Sequence, residues 1–296
     1  MNPPNFAGAA TTALTPLPPL NPPSTLLIGP AGTGKTTSLI SALALGLKVR
    51  MLATESSAPN RVLSEASKRH INSALFDWCY VSPSVPAWQS LITSAEAVNH
   101  MSLKDIADMK GGIAKQDGKQ WIEFIKAMQN FKSARTGVDL GDVTEWGADT
   151  LFAIDGLTGV NTMSRNLTVG LKPNPAPGEW GVMQSNILTL IQKLTADCKC
   201  FFVCIAHVER EQNEITGIQS LTVSTLGAKL APKLPPLFTN VIYAKRSGAN
   251  FAWSTADSGV DTKNGDLPLS DNLEPSFKPI LESFQARIEA AESGTP

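Results

Sequence analysis

The chain has 296 residues, 42% of them apolar and 17% charged, with a formal net charge of −1. This length suits one large domain or two small ones, and the apolar share allows a sizeable core. The neutral balance excludes a global basic field, so any contact with nucleic acid has to come from local patches. No apolar run approaches the ~18 residues of a membrane span. The first charged residue is Lys35, so the positive region of a signal peptide is missing. Four cysteines give no extracellular disulfide framework. A cytoplasmic protein is expected, with no membrane association.

Residues 1–23 hold seven of the 21 prolines and no helical or strand period. They are expected to form a flexible Pro-rich tail. The core starts at Ser24. Thr25–Ile28 is a short apolar run of buried-strand type. It leads into Gly29-Pro30-Ala31-Gly32-Thr33-Gly34-Lys35-Thr36, which fits the phosphate-binding pattern G-x-x-x-x-G-K-[ST]. Glycines let backbone N–H groups turn inward around a phosphate. Lys35 would reach the β- and γ-phosphates, and the Thr36 hydroxyl would hold Mg²⁺. A helix beginning at Lys35 and running through Thr37 to Leu45, stopped by Gly46, would add its positive dipole end. The expected ligand is a nucleoside triphosphate, ATP with Mg²⁺, held by residues Gly29 to Thr37.

A second buried strand, Val49–Thr54, ends at Glu55. The stretch from about 57 to 135 reads as mainly helical. Within it, Ser102 and Asp105 form a capping-box pattern ahead of Leu103, Ile106 and Met109. Trp121, Phe124, Ile125, Met128 and Phe131 recur at helical spacing, as a core-facing stripe does. Arg135 to Gly147 reads as a loop. Thr150–Ile154 is a third strand, ending at Asp155-Gly156, and Asn161 to Gly178 reads as another loop. Trp180, Met183, Ile187, Leu190, Ile191 and Leu194 mark an amphipathic helix before the strand Cys200–Ala206, which ends at His207. Val208 to Gln219 is expected to be a mobile polar loop. Asn240–Ala244 and Phe251–Ser254 read as a hairpin, and Phe277, Ile280, Leu281, Phe284 and Ile288 as a C-terminal helix. No internal repeat is present.

Near-continuous apolar strands alternating with helices predict an α/β fold with a mainly parallel central sheet and helices on both faces. Ligands of such sheets lie at the carboxyl ends of the strands. The P-loop, Glu55, Asp155 and His207 all fall there. Asp155 is placed as a Walker B aspartate, holding Mg²⁺ opposite Thr36. Gly156 stands next, where many ring-forming ATPases carry a second acid. Glu55 is the substitute for orienting the attacking water, provided that its strand neighbours the first. His207 would hydrogen-bond the γ-phosphate and report hydrolysis to the segment after it. Lys35, Glu55, Asp155 and His207 thus form the candidate catalytic set. Lys245-Arg246 end a strand beside the sheet and are candidates to act in trans on a neighbour's triphosphate. Cys198, Cys200 and Cys204 would share one strand face. No second ligand pair accompanies them, and a buried strand accounts for them better than zinc.

GPAGTGKT (29–36), the strand-end Glu in MLATES (51–56) and the strand-end Asp in LFAIDGL (151–157) resemble the RecA-like P-loop ATPases. FFVCIAHVERE (201–211), LGAKLAPKLPPLFTNVIYAKR (226–246) and FAWSTADSGVDTKNGDLP (251–268) are similar to compact bacteriophage ATPases of single-strand annealing and recombination. The resemblance implies Mg²⁺-ATP hydrolysis, rings or filaments of identical subunits, and action on single-stranded DNA with a single-strand-binding protein in the host cytoplasm. It covers roughly residues 24–290, and the chain as a whole is expected to divide into the tail 1–23, an ATPase core 24–250 with its helical region at about 57–135, and a C-terminal hairpin and helix 251–296. Two other readings stay open. A small-molecule kinase would need an arginine-rich lid, and no arginine cluster is seen. A nucleotide-binding regulator would turn over little or not at all.

Overall fold

The structure is a computed structural model that describes residues 20–102, 104–105, 118–170, 175–212, 219–256 and 259–293. The Pro-rich segment up to residue 19 and the apolar positions Leu103, Ile106 and Met109 lie outside these residues. In chain order the elements are β1 (Ser24–Ile28), a 3₁₀ turn (Thr37–Leu39) continued by α1 (Ile40–Ala44), β2 (Lys48–Ala53), α2 (Ala58–Lys68), β3 (Phe76–Tyr80), α3 (Trp88–Asn99), α4 (Lys119–Gln129), β4 (Thr150–Asp155), α5 (Leu157–Thr168), α6 (Pro177–Asp197), β5 (Phe201–Ala206), β6 (Val208–Gln212), β7 (Gln219–Val223), β8 (Asn240–Ser247), β9 (Asn250–Ser254), β10 (Lys263–Asn264) and α7 (Lys278–Ser293).

One sheet runs in the order β10-β8-β1-β5-β4-β2-β3, with β9 also paired to β8. β8, β1, β5, β4, β2 and β3 are parallel to one another, and only β9 and β10 run against them. The α/β architecture with a mainly parallel sheet is therefore present. Strand alternation sorts the apolar runs to two faces. Leu26, Ile28, Phe152, Ile154, Phe202 and Cys204 meet Trp121, Phe124 and Met128 of α4, Val160 and Met163 of α5, and Ile187, Leu190 and Ile191 of α6. Leu27, Val49, Met51, Ala153, Val203 and Ile205 meet Leu39 and Leu43, Val62 of α2, and Ile280 and Phe284 of α7. Cys198, Cys200 and Cys204 are free thiols packed in the first of these layers. Of the stripe on α4, Ile125 alone turns outward, 38% exposed.

Away from the candidate site, the secondary structure departs from the sequence expectations in three places. The stretch 57–135 is not all helical: β3 lies within it as an edge strand beside β2. Only Phe76 of Phe76–Tyr80 is fully buried, and Asp77 interrupts the apolar run. A following loop covers the edge, with Ala134 N donating to Trp78 O at 2.7 Å and Arg135 Nε to Phe76 O at 2.9 Å, as exposed strand edges require. Second, Asn161 lies in helix α5 and not in a loop. The buried face of α5 mixes Leu157, Val160 and Met163 with Asn161, Ser164 and Asn166, which hides the helical period. Two of those polar groups have partners: Ser164 Oγ donates to Met183 O at 3.0 Å, and Asn161 Nδ2 to Ser224 O at 3.2 Å, while Asn161 Oδ1 is left without one among the described residues. Third, Val208–Gln212 and Gln219–Val223 pair antiparallel as a ribbon, with residues 213–218 outside the described ones. Leu221 and Val223 supply the period-two apolar contacts, packing against the first layer. The expected loop stopped at Gln219, just before them.

The Ser102–Asp105 box is formed, Ser102 Oγ donating to the carboxylate at 2.6 Å and receiving Asp105 N at 3.2 Å. The C-terminal segment is continuous with the core. Trp253, Phe277, Ile280, Leu281 and Phe284 are buried in the same layer as Leu39 and Phe201, and Phe277 N donates to Ser41 Oγ beside the P-loop at 3.0 Å.

Candidate functional site

The parallel register puts the candidate strand ends in one row. Ile28 stands opposite Ala206, Asp155 opposite Ile205, and Ala53 opposite Asp155. Gly29, His207, Asp155 and Glu55 therefore leave the sheet at nearly the same level. They open into a cavity of about 470 Å³ lined by the loop from Ala31 to Thr37 together with Glu55, Arg61, Asp155, Gly156, His207 and Phe251. Glu55 reaches it by a different route from the one expected. Its strand does not neighbour β1, since β5 and β4 stand between them. Instead β2 lies beside β4, which delivers Glu55 to the cavity from the flank of Asp155.

The loop's path explains its glycines. Gly32 and Gly34 have φ of 76° and 80°, a left-handed backbone that a Cβ disfavours. Gly29 lies so close to β8 that a Cβ would come within 2.3 Å of Ala244 O. The helical turn begins at Thr37 and not at Lys35. Lys35 and Thr36 are kept in the loop, with the Lys35 carbonyl accepting from Ser38 Oγ at 2.7 Å.

Lys35 is buried, 6% exposed, and its Nζ donates to the carbonyls of Gly29 and Pro30 at 2.7 Å each. Burial lowers its pKa to about 8, against the pull of Asp155 and Glu55. Thr36 donates its hydroxyl to Asp155 Oδ2 at 2.6 Å. Burial pushes the Asp155 carboxyl up from the ordinary carboxylate range. The Thr36 hydrogen bond opposes this and the Glu55 charge adds to it. Burial also lowers the pKa of His207, as does the charge on Lys35. Glu55 and a hydrogen bond with the Gly29 backbone act the other way.

Thr54 positions Asp155-Gly156 from the neighbouring strand. Its N–H donates to Asp155 O at 2.7 Å, and its hydroxyl donates to Gly156 O at 3.0 Å and accepts from Gly156 N at 2.9 Å. Arg61, Thr158 and Phe251 line the cavity without having been foreseen from the sequence. Arg61 comes from the first turn of α2, with its guanidinium 3.8 Å from Glu55 and bonded to Ser57 Oγ at 3.0 Å. Nothing in the sequence singled it out, since it is a lone arginine in the first turn of a helix that starts after Glu55. Phe251 comes from β9, leaning over Gly34.

The structure separates Lys245 from Arg246. Lys245 is ion-paired with Asp271 of its own chain. Arg246 donates to Gly248 O at 2.6 Å and lies 5.2 Å from the centroid of the Phe251 ring.

The Thr36–Asp155 pair fits Mg²⁺. Both donors are oxygen, and Mg²⁺ takes one or two protein oxygens with water and phosphate completing the octahedron. A desolvated carboxylate with one hydroxyl partner is a group that a hard cation stabilises. Among the described residues, no cluster of three or more His, Cys, Asp or Glu offers an all-protein metal cage. No described helix is long and apolar enough to cross a membrane.

No family model and no curated protein matches the chain. Among solved structures it is similar to the crystal structure of the RadB recombinase, with a TM-score of 0.38 and 14% identity over 79% of this chain and 80% of that one. At that depth the likeness says nothing about the site, whose chemistry stands on the chain's own geometry.

Proposed function

We propose that the chain is a Mg²⁺-dependent, RecA-like ATPase acting on single-stranded DNA. The observation that carries the ATPase reading is the convergence of Lys35, Thr36, Glu55, Asp155 and His207 on one cavity over the phosphate-binding loop. Backbone N–H groups of Gly32 to Thr37 cradle the phosphates. Lys35 turns from its loop carbonyls to the β- and γ-phosphates. Thr36 and Asp155 would hold Mg²⁺, which would neutralise charge developing on the phosphoryl oxygens. Glu55, half-exposed beside Asp155, orients the attacking water and accepts its proton. Arg61 lies beside that carboxylate, its guanidinium 3.8 Å away.

His207 faces the γ-phosphate. The ribbon β6–β7 starts at the next residue and is closed on it by Ser224 N donating to His207 O at 2.8 Å. A change at His207 is therefore handed directly to the ribbon. The action on single-stranded DNA, the assembly into rings or filaments and the partnership with a single-strand-binding protein rest on the sequence resemblance, as does a role for Lys245 and Arg246 in trans.

The test is ATP turnover with and without single-stranded DNA over a range of protein concentration. The rate per subunit is expected to rise with both. A rate that ignores both would turn the reading toward a kinase or a slow regulator, and no turnover at all would remove the ATPase reading.

A further inference from the structure

The chain leaves the β6–β7 ribbon at Ser224, and the backbone of that residue is held from two sides. Its N–H donates to His207 O at 2.8 Å. Its carbonyl accepts from Asn161 Nδ2 at 3.2 Å. The two partners come from different walls of the candidate cavity. His207 follows the end of β5 and lines it. Asn161 lies in α5, which starts at Leu157 directly after Asp155 and Gly156, two more of the lining residues.

Packing does not account for an amide at position 161. The side chain of Asn161 is 7% exposed, on a helix where Val160 and Met163 are buried. Burying an amide costs free energy unless its donors and its acceptor are matched. Here Nδ2 meets Ser224, while Oδ1 is buried and has no partner among the described residues. An apolar side chain of similar size would avoid that cost, so what the amide contributes is its bond to the ribbon. Nor is α5 free to move independently of the strand end. Gly159 packs so closely on Thr54 that a Cβ would fall 2.4 Å from its hydroxyl oxygen, and that hydroxyl brackets Gly156. A displacement of Asp155 and Gly156 is thus carried into α5, and from α5 through the Asn161 amide to Ser224.

We propose that Asn161 is a positioning residue for the ribbon: it ties Ser224 to the helix behind Asp155, so that filling the cavity shifts the ribbon through α5 as well as through His207. The inference rests on reading the cavity as the ATP site. It adds a second route, on the Asp155 side, to the one at His207. Coupling of this kind is reciprocal, so whatever holds the ribbon changes nucleotide affinity by the same factor.

The test follows backbone amide exchange of residues 208–212 and 219–224 in the full chain by mass spectrometry, without nucleotide and saturated with Mg²⁺ and a non-hydrolysable ATP analogue. Calorimetry measures the affinity for the analogue in parallel. In the unaltered protein the analogue is expected to change exchange in the ribbon by about fivefold or more. Asn161→Leu removes both the bond and the orphaned acceptor. It is expected to bind the analogue within about fivefold of the unaltered protein and to lose about half or more of the exchange response. Asn161→Ala, which cannot overpack the site, is expected to do the same. Ser224→Ala keeps both backbone bonds and is expected to keep the whole response. Its loss there would place the link in the Ser224 side chain and overturn the proposal. A merely structural amide would loosen the ribbon equally with and without the analogue, so a full response in either Asn161 variant overturns the proposal. A ribbon that ignores a bound analogue in the unaltered protein overturns it too, with the ATP site left standing. If the unaltered protein does not bind the analogue, the ATP reading falls and this one with it.

Discussion

Lys35 and Glu55 carry the two most direct consequences at the scale of single residues. Burial among its loop carbonyls holds the Lys35 pKa at about 8. A bound polyanion favours the charged ammonium and raises that value. Binding above about pH 8 must therefore take up a proton, and ATP affinity is expected to fall as pH rises from 8 toward 10, while remaining flat below about 7. A dissociation constant unchanged between pH 7 and 9 would contradict the placement of Lys35 on the phosphates. Glu55→Gln keeps the side-chain shape and removes the base. Turnover is expected to drop by about 10²- to 10⁴-fold with ATP binding retained, as single-turnover assays and calorimetry would show. Wild-type turnover in that variant would take Glu55 out of the chemistry. Lys35, Thr36 and Asp155 were legible in the sequence because a fixed spacing and an apolar run place them. Arg61 was not, because nothing in a lone arginine tells that a helix will turn it back toward a strand end.

Among elements, the register of β2 against β4 and the closeness of α5 to Thr54 set the site. Gly159 of α5 lies so near that strand end that a Cβ would meet Thr54 Oγ1 and Cβ at 2.4 Å. Gly159→Ala has to push apart α5 and the residue whose hydroxyl brackets Gly156. A destabilisation of about 1–3 kcal/mol is expected, measurable by urea unfolding, with a fall in turnover from the displaced Asp155. An unchanged midpoint would mean that α5 shifts without cost. The buried central strands were legible as near-continuous apolar runs. β3, α5 and the β6–β7 ribbon were not, each for a physical reason. An edge strand is only half buried, a helix can turn hydrogen-bonded Asn and Ser inward, and a ribbon packs with as few as two apolar residues on one strand. Glu55 shows the limit of topology by sequence: its place at a strand end was readable, but the order of the strands was not.

The molecule as a whole is built around one sheet, and its C-terminal part belongs to that sheet. Removing the chain from residue 251 onward would strip Trp253, Phe277, Ile280, Leu281 and Phe284 from the second layer, all of them buried. At about 1.5–3 kcal/mol for each large apolar side chain, that loss is about 10 kcal/mol, comparable with the entire stability of a typical domain. The truncated chain is expected to lose its cooperative urea transition and its near-ultraviolet circular dichroism. A sharp transition at the original midpoint would show instead that residues 24–250 fold alone. The hydrogen bonds of the glycine-rich loop 29–36 have a consequence for folding as well as for the site. Lys35 bonds to Gly29 and Pro30, and Thr36 bonds to Asp155, so the loop's charged and hydroxyl groups have partners within the chain itself. On the proposed function, nucleotide binding trades these partners: Lys35 exchanges loop carbonyls for phosphate oxygens, and Thr36 and Asp155 exchange each other for Mg²⁺. The loop's own hydrogen bonds hold it together without a ligand, and added nucleotide is expected to raise the melting temperature by an amount set by its concentration relative to the dissociation constant.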